Sequence, residues 1–509
     1  MKQKAKLVAT LMAMCMVVSF AVIGILAVKT LNMSVGGNIS FFAEGVSFTI
    51  GEGAFYQTDK ITPYAGITVQ SGKLQGFAMN TNTKLADVET QIASWANLDL
   101  KLDNQGDAVL KFNIKNDMSD KELYVLFEVT LGTNTNNNMN IVCQTSQLIA
   151  PTDNKNIEIT FDILDTSINA GLTGFKIDLV ISEPVEVDPT TGAVTNQTNS
   201  KYSNALYNID TTAGTATISK SNANVSGELV LMDKVYVAGQ EYVVTEIAEG
   251  AFENCGGLTG DLIIPNTVTK IGIAAFNNCS GFDGRLVLPN SLEEIEAKAF
   301  GGCLNFVGEL RFGENLIKIG YSVFVSSNFT GALFIPKSVT SIGVATFAGC
   351  DGFTSVVVED GNDIYESKGN CIIYKSTKKL LQAFACSDIT QLQDILDMEQ
   401  YAFSRVGANL GDVVFSPNIE VIRYRLFFHS LGIKSITIGE NIKAIENGAF
   451  ESASSLEYVV MESSTPPTLG ESVFYGIDDY KIYVPAGSVD TYKTADGWSN
   501  YADRIFAIV

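Results

Sequence analysis

The 509-residue sequence has little of several residue types on which catalysis and nucleic-acid binding depend. It contains one histidine, His429, two tryptophans, and 34 basic residues against 56 acidic ones. A single histidine leaves little room for a Ser-His-Asp or Cys-His catalytic arrangement. Nucleic-acid binding needs clustered Lys and Arg, whereas the formal net charge here is −22, so the composition argues against nucleic acid as a partner. This acidity suits an extracellular surface but names no partner.

Charged residues are also scarce, at 18% of the sequence, while apolar residues reach 46%. A chain this apolar can bury a core, which excludes general disorder. A length of 509 residues favours two to four domains.

Long apolar runs are missing except for one, from Leu7 to Val28, which follows three lysines among the first six residues. At 1.5 Å per residue, a helix of this length spans about 33 Å, enough to cross a hydrocarbon core. A secretory signal has a shorter apolar segment and a small-x-small cleavage site, but Ile25 occupies the −3 place of the best candidate. We therefore predict that residues 1–32 are cytoplasmic lysines and an uncleaved signal-anchor helix.

Alternating apolar and polar residues characterise residues 33–187, as in Leu98-Asp99-Leu100-Lys101-Leu102. About seven such stretches, separated by clusters of Asn, Asp and Gly, predict an antiparallel β-sandwich. The stretch from Val35 to Phe41 is similar to camelysin-type and biofilm-fibre sandwiches of Gram-positive bacteria. A polar stretch with proline follows, and we predict a linker at residues 188–205.

Residues 244–485 repeat with a period of 23 to 24 residues. The phased residue is a phenylalanine: Phe252, Phe276, Phe300, Phe324, Phe347, Phe403, Phe427, Phe450 and Phe474. A fixed period of this length is typical of units that cannot bury their apolar face alone and must stack. The period therefore predicts a solenoid of about 10–11 coils.

The period is broken once, for 56 residues after Phe347. We predict an insertion near residues 360–395, with a hairpin over Ile372 to Leu381. Residues 206–243 have strand patterns without the full repeat, and we predict that they form an N-terminal cap. Residues 486–509 are the predicted C-terminal cap.

The repeat resembles that of a known family. The stretch from Ile263 to Cys279, IIPNTVTKIGIAAFNNC, resembles the BspA-type leucine-rich repeat of bacterial surface proteins. The resemblance covers about residues 201–509, and the segment from Ile482 to Ser488 looks like the closing coil of that family. It implies an extracellular solenoid that acts in adhesion and binding. It brings no shared catalytic residue.

Cysteines form the most conspicuous cluster of chemically active residues. Cys255, Cys279 and Cys303 each follow a phased Phe by three residues. Stacked coils would place them about 4.8 Å apart, which is within disulfide range, and three aligned thiols also raise the alternative of a metal site. The same slot holds Ser327 and Ala453 in other repeats, as expected for a small buried filler. Buried free thiols therefore fit this slot better than a disulfide or a metal.

Three other candidate sites have simpler structural interpretations. His429 occupies a turn position of the repeat. Glu293, Glu294 and Glu296 could serve a carboxylate-only glycosidase, which needs two acids about 5–10 Å apart, but they recur in no other repeat and fit a solvated face. The segment from Glu359 to Asp363 lacks the alternating ligands and distal Glu of an EF-hand and fits a turn.

Together these patterns predict a mainly β protein composed of a signal-anchor helix, a sandwich and a leucine-rich-repeat solenoid. We assign no catalytic, cofactor-binding or metal residue and expect no enzymatic activity. The ligand-binding residues are unknown at this level. The expected location is the extracellular face of a bacterial cell membrane, with residues 7–28 as a single-pass anchor, or the medium if the helix is cleaved.

The resemblance implies non-covalent binding, namely adhesion to host matrix proteins or to other cells, with a protein or glycan as the unidentified ligand. The alternative is a structural component of the cell envelope or biofilm matrix that assembles through the β-sandwich. A carboxylate-only hydrolase is the third hypothesis.

Overall fold

The computed structural model describes twelve strands within residues 39–182, and then residues 184–196, 200–219, 225–407 and 410–508. These residues form two compact units. The first unit extends to Ala216 and also includes Val230–Val244 and Pro265–Thr267. The second unit contains the remaining described residues. The predicted anchor at residues 7–28 lies outside the described residues. Every helix in the described part is too short or too polar to cross a bilayer.

Two antiparallel sheets make up the first part of the first unit. One has the strand order Ile39–Ala43, Val46–Ile50, Ala108–Asn116, Asn154–Ile163 and Met139–Cys143, with Ala54–Tyr56 also paired to Ala108–Asn116. The other has the order Ser146–Ile149, Leu123–Thr130, Ala170–Ser182, Thr90–Leu102 and Ile67–Ser71, with Thr133–Thr135 also paired to Ala170–Ser182. This pairing confirms the mainly β, antiparallel fold expected from the alternating pattern.

A buried asparagine links the two sheets. The Nδ2 of Asn116, in the first sheet, donates to the carbonyl oxygen of Ile149, in the second, at 3.0 Å. The backbone N–H of Asn116 donates to the carbonyl oxygen of Asp153 at 2.9 Å. Both sheets contribute buried apolar side chains: Ile114, Ile157, Tyr124, Val125 and Ile149. The hydrogen bond satisfies a polar amide that would otherwise be costly to bury.

Residues 184–196, which overlap the predicted linker, are ordered by backbone pairing. Val187 bridges Val194 in antiparallel fashion, Glu186 bridges Tyr236, and Val185 and Val187 are buried. The predicted domain boundaries stay predictions. The region that follows contains one short helix and four strands: Ser200–Ser203, then Leu206–Asp210, Thr215–Ser219, Lys234–Val237 and Gln240–Ile247.

The second unit is a solenoid of about 11 turns, as predicted. Parallel strands of successive coils form two ladders. The first ladder comprises Glu246–Ile247, Lys270–Ile271, Glu294–Ile295, Lys318–Ile319 and Ser341–Ile342, and later Val421–Ile422, Ala444–Ile445 and Thr468–Leu469. The second comprises Ser226–Gly227 with Gly257–Leu258, Leu262–Ile263 with Leu286–Val287, Gly331–Ile335 with Phe353–Val358, and finally Gly411–Val414, Ile433–Ile438, Tyr458–Met461, Lys481–Val484 and Ile505–Ala507.

The phased phenylalanines stack through the centre of the coils. Ring centroids of Phe252, Phe276, Phe300 and Phe324 follow one another at 5.2, 5.3 and 5.6 Å, and the next ring, Phe347, lies 5.8 Å further on. After the insertion, the four remaining rings are 4.9, 5.5 and 5.4 Å apart. All of these rings are buried. The periodic phenylalanines therefore mark successive rungs of one continuous core, as the sequence predicts.

Each phenylalanine turn contains two residues with left-handed backbone conformation, two positions before and two positions after the Phe. The residues before the Phe are Gly250, Ala274, Lys298, Ser322, Ala345, Tyr401, Arg425, Gly448 and Ser472. Those after it are Asn254, Asn278, Gly302, Ser326, Gly349, Arg405, His429, Ser452 and Gly476. Only some of these are Gly or Asn, the residues that adopt this conformation readily. The stacked coils thus impose the turn on residues that do not favour it.

The break in the period contains a small antiparallel sheet. Tyr365–Lys368 pairs with Cys371–Tyr374, which pairs with Lys379–Gln382. Lys379–Gln382 then pairs in parallel with Asp397–Met398, after the 3-10 turn Ile389–Gln391. Phe384 lies 5.9 Å from Phe347, so it extends the aromatic column where the periodic Phe is missing.

Residues 486–508 pack on the last repeats as the 3-10 turn Ala486–Ser488, the helix Val489–Thr494, the 3-10 segment Trp498–Arg504 and the strand Ile505–Ala507. Trp498 is fully buried, and its Nε1 donates to the carbonyl oxygen of Pro467 at 2.8 Å. The hydroxyl of Tyr492 donates to the carbonyl oxygen of Ser463 at 2.9 Å. These bonds satisfy the polar atoms of two large aromatic residues in the core.

Candidate binding surface

The last five strands of the second ladder carry an uncharged row of outward side chains, exposed at its two ends and half-buried in its middle. Register aligns one outward residue from each strand: Val414, Thr437, Val460, Tyr483 and Phe506. We call this row the sheet-face stripe. Strands in a sheet are about 4.8 Å apart, so the stripe is about 19 Å long. Val414 and Phe506, at its two ends, are 56% and 43% exposed.

The alternation of strand residues explains why the stripe faces outward. Successive side chains of a strand point to opposite faces of the sheet. The residues that precede the stripe positions are all buried in the core: Val413, Ile436, Val459, Ile482 and Ile505. A one-residue slip would bury the stripe and expose this core row, so the register is strongly fixed.

Aromatic contacts stabilise one end of the stripe. The ring of Tyr483 lies 6.1 Å from that of Tyr458 in an edge-on arrangement and 6.3 Å from that of Phe506. Beside the stripe, the Oγ of Ser435 donates to the Oδ1 of Asp412 at 2.6 Å. Rigid aromatic side chains offer a large contact area at low cost in side-chain entropy. The stripe can therefore bind apolar groups.

An arginine side chain holds the edge strand of this sheet, Ile505–Ala507, in place. The guanidinium of Arg504 lies 4.5 Å from the ring centre of Tyr480 and donates to the carbonyl oxygen of Asp478 at 3.0 Å. Burial raises the pKa of Tyr480 far above its usual value, so this phenol is neutral at physiological pH. The strand that carries Phe506 is thereby attached to the preceding coil.

The cysteines singled out from the sequence are buried thiols. Cys255, Cys279, Cys303 and Cys350 form no disulfide, and the described residues contain no group of three metal-ligating side chains in reach of one ion. The Sγ of Cys279 donates to the carbonyl oxygen of Phe252 at 2.9 Å, one coil earlier. Burial raises the pKa of Cys303 and Cys350 to about 12, so both remain protonated. These thiols form part of the core.

The remaining candidates from the sequence are dispersed. His429 is an exposed turn residue whose ring contacts Phe428 at 4.3 Å. Glu294 pairs with Lys318, and Glu296 pairs with Lys270 at 3.4 Å. Each of these glutamates therefore faces a lysine of a neighbouring coil, which is the arrangement of a solvated ion-pair ladder.

The acidic segment from Glu359 to Asp363 is held together by a buried amide. The Nδ2 of Asn362 donates to the carbonyl oxygens of Pro336 and Val339 at 3.1 and 2.9 Å. Its Oδ1 accepts from the backbone N–H groups of Ile364 and Tyr365 at 2.9 and 2.8 Å. Asn362 thus uses its amide to close the turn between a strand and the insertion.

Sequence reasoning did not identify the sheet-face stripe. The outward positions hold Val, Thr, Val, Tyr and Phe, so no single residue type recurs there. In addition, the sequence shows which strand residues point outward only once the register of the strands is known. The available signal was the apolar character of both faces in segments such as Tyr458–Met461, since a half-buried strand normally alternates with polar residues.

Comparison with known proteins agrees with the fold. A family model for the BspA type leucine rich repeat region matches residues 245–379 and 378–494, in 6 copies. A comparison with curated protein sequences gives no significant match.

Several solved structures are similar to part of this chain. A leucine-rich repeat protein from Eubacterium ventriosum is 19% identical, with a TM-score of 0.42 over 56% of this chain and 77% of its own. A leucine rich cell surface protein from Faecalibacterium prausnitzii is 19% identical, with a TM-score of 0.34 over 59% of this chain and 96% of its own. The pneumococcal vaccine antigen PcpA is 16% identical, with a TM-score of 0.40 over 63% of this chain and 99% of its own. Through its repeat region, residues 245–494, this chain belongs to the BspA-type leucine-rich repeat family.

Proposed function

We propose that this chain acts at the bacterial cell surface by binding another protein non-covalently, and that the sheet-face stripe is the centre of the binding surface. Membership of the leucine-rich repeat family supports a protein-binding role. The observation that carries the proposal is the alignment of Val414, Val460, Tyr483 and Phe506 on the outer face of one sheet. Exposed apolar patches with polar rims are typical of protein-binding sites.

The composition of the stripe suits a protein partner. Protein interfaces have an apolar centre enriched in aromatic residues and a charged, solvated rim. The stripe has this centre, while Lys434, Glu457 and Lys481 are exposed on the same strands and at their ends. Because these charges are of both signs, they favour a mixed protein surface over a uniformly charged polymer.

The partner class that we propose is a matrix protein of a host, or a protein on another cell. A stacked array presents its side chains at fixed spacing, so the stripe is ordered before it binds. Binding in this form requires no catalysis, and we propose a non-enzymatic role for the chain.

The proposal is tested by measuring binding of the full-length protein to an array of purified matrix proteins. The double variant Val414→Thr/Phe506→Thr keeps strand-forming residues but removes the apolar ends of the stripe. We expect it to bind at least about tenfold more weakly, because a loss of about 1 kcal/mol at each of the two truncated apolar residues adds to about 2 kcal/mol. Ile317→Thr is the control, since Ile317 is 47% exposed and directly precedes the strand Lys318–Ile319 of the first ladder.

Three results would count against this function. The stripe is not the binding surface if the double variant binds as tightly as the unchanged protein, or if Ile317→Thr weakens binding equally. The partner class is wrong if no matrix or cell-surface protein binds at micromolar concentration. Circular dichroism of each variant shows whether the fold is intact.

The proposed location is the outer face of the membrane, with residues 7–28 as the anchor. Cell fractionation tests this directly, because an anchored chain is recovered with the membranes and is cleaved by protease added to intact cells. Recovery of the full-length chain only from the medium would exclude the anchor.

A further inference from the structure

An open groove of about 520 Å³ lies on the phenylalanine turns, away from the sheet-face stripe. Its lining includes Lys298, Asn278, Leu304, Ser326 and Arg405. The residues are contributed by turns of consecutive coils and by the first turn after the insertion. Neither sequence motifs nor family membership assigns a role to this groove.

Two adjacent glycines open the groove. Gly301 and Gly302 occupy the turn positions that hold Asn277 and Asn278 in the previous coil and Val325 and Ser326 in the next. Without side chains, the two glycines leave a gap in these two rows. A Cβ at Gly302 would lie 2.6 Å from the Oδ1 of Asn278, so a side chain at position 302 would displace the Asn278 side chain.

Arg405 reaches the groove from a distant part of the chain. Its Nη1 lies 3.4 Å from the Oγ of Ser326, which is 79 residues away in sequence. Gly349 lies between them, and a Cβ there would be 3.3 Å from the Cβ of Arg405. A glycine at 349 therefore lets the backbone of Arg405 approach closely, and the insertion brings the arginine into line with the earlier turns.

The groove is cationic in an acidic protein. Lys298 and Arg405 are exposed, and within the described residues neither forms an ion pair with a carboxylate. Other basic residues of the solenoid, such as Lys270, Lys318 and Arg423, are paired with acids. No acidic side chain of the described residues lines the groove. Two uncompensated cations in a chain with a net charge of −22 form a local site for an anion.

The rest of the lining favours hydroxyl-rich ligands. The Nδ2 groups of Asn277 and Asn278 each donate one hydrogen bond within the protein, to Glu253 and Asn254, which leaves a second N–H on each amide, and Ser280 and Ser326 supply hydroxyls. Leu304, 44% exposed, adds an apolar contact. A peptide would find few backbone partners here, because the turn N–H groups are used between coils. The N–H of Asn278, for example, donates to the carbonyl oxygen of Gly301 at 2.7 Å. The N–H of Ser326 donates to the carbonyl oxygen of Ala348 at 2.8 Å.

We propose that this groove binds an anionic saccharide, with sulfate or carboxylate groups on Lys298 and Arg405 and sugar hydroxyls on the asparagine and serine side chains. This site is separate from the sheet-face stripe and does not depend on the proposed protein-binding function. Sulfate and carboxylate offer the same kind of anionic oxygen to the two cations, so the probes must distinguish them.

The experiment measures binding of the full-length protein to four polysaccharides and one peptide. Dextran sulfate carries sulfate only, hyaluronan carries carboxylate only, heparin carries both, and unmodified dextran is neutral. Poly-glutamate tests for an acidic peptide. We expect at least one anionic polysaccharide to bind, dextran not to bind, and binding to weaken as salt concentration rises.

Three variants localise the site. Lys298→Gln/Arg405→Gln removes both cations, and we expect at least tenfold weaker binding. Lys434→Gln/Lys481→Gln is the matched control, since it changes the net charge equally at exposed lysines of the sheet, and we expect less than a twofold change. Gly302→Asn keeps both cations but fills the groove. Asparagine adopts the required backbone conformation at Asn254 and Asn278, so we expect this variant to fold and to lose binding.

The proposal is overturned if the groove variants bind as the unchanged protein does, if the lysine control loses as much affinity, or if poly-glutamate binds more tightly than every polysaccharide. The double variant Val414→Thr/Phe506→Thr separates this site from the proposed protein-binding surface. We expect it to keep saccharide binding, so failure of either proposal leaves the other testable. Circular dichroism and thermal unfolding of each variant show that lost binding is not lost fold.

Discussion

The thiol of Cys303 donates a hydrogen bond to the carbonyl oxygen of Phe276, one coil earlier, across 3.1 Å. The same oxygen accepts from the backbone N–H of Cys279 at 3.1 Å. The arrangement recurs where the thiol of Cys350 donates to the carbonyl oxygen of Phe324 at 3.0 Å. A serine hydroxyl takes the same role further along the chain, where Ser430 donates to Phe403. The slot therefore accepts small side chains, and a hydrogen-bond donor there connects two coils.

Replacement of Cys303 tests how much this hydrogen bond stabilises the stack. Cys303→Ala removes the donor and leaves a small gap, so we expect the free energy of unfolding to fall by about 1–2 kcal/mol. Cys303→Ser keeps a donor of similar size, and we expect a smaller loss. Urea unfolding monitored by circular dichroism measures both. Equal losses for the two variants would show that volume, rather than the hydrogen bond, matters at this position.

Alkaline pH should destabilise the solenoid through its buried thiols. Burial raises the pKa of Cys303, Cys350 and Cys371 to about 12, whereas a thiol in an unfolded chain has a pKa of about 8.5. Between these values the unfolded chain releases protons that the folded chain keeps, so stability is present below about pH 8.5 and is lost as pH rises.

The matched comparison is the triple variant with serine at positions 303, 350 and 371, measured by urea unfolding at pH 8 and pH 10. Each thiol contributes up to about 1.4 kcal/mol per pH unit in this range. We expect the triple variant to lose less stability than the unchanged protein over the same interval. An identical pH dependence would show that these thiols are not protected in the folded chain.

The core of the repeat was predictable because it depends on local, repeated requirements. Each coil needs one large aromatic at the same phase, and the spacing of Phe276 and Phe300 records this directly. Phe384 was missed because it extends the aromatic column from within the insertion, where the period no longer applies. Only the three-dimensional stack shows that it replaces a periodic residue.

The candidate sites were not predictable, because they depend on relations between distant residues. The groove is lined by both Lys298 and Arg405, on opposite sides of the insertion in sequence, and no sequence spacing predicts that they line one groove. The left-handed turn residues were also hidden, since Lys298, Tyr401 and Arg425 are not residue types that signal this conformation. In these turns, packing of the neighbouring coils outweighs local backbone preference.

The left-handed positions predict a stabilising glycine substitution. Ala274 has φ 52°, a conformation that is unfavourable for alanine and accessible to glycine. We expect Ala274→Gly to raise the free energy of unfolding by up to about 1 kcal/mol. Ala297, just before the equivalent turn residue of the next coil, lies outside the left-handed region, so Ala297→Gly should lower stability by about 0.5–1 kcal/mol. Urea unfolding measures both variants. A gain in the free energy of unfolding for Ala274→Gly and a loss for Ala297→Gly would confirm the backbone effect, whereas a loss for both would contradict it.

Asn362 provides a test of the acidic turn. Its buried Nδ2 donates to the carbonyl oxygens of Pro336 and Val339, so Asn362→Asp would place a carboxylate against two acceptors. We expect a loss of about 3 kcal/mol at pH 7, because one oxygen of the buried carboxylate would still accept from Ile364 and Tyr365, but the other would face two carbonyl oxygens with no donor. Asn441→Asp is the control, since exposed Asn441 makes one similar bond, to Pro417 at 2.9 Å, and should cost less than about 1 kcal/mol.

The pH dependence of the Asn362→Asp variant distinguishes a structural turn from a cation site. Burial would raise the pKa of the new carboxyl in the folded chain, so its protonated form would be favoured there and could donate to one of the two carbonyls. The deficit in stability should therefore be small near pH 4 and grow as the pH rises towards 7. Urea unfolding at pH 5 and pH 7, with and without calcium, measures this. If calcium rescued the variant at pH 7, the segment from Glu359 to Asp363 would be a cation-binding loop. We expect no rescue, because residue 362 is buried and one of its side-chain oxygens faces two backbone N–H groups, which would repel a cation.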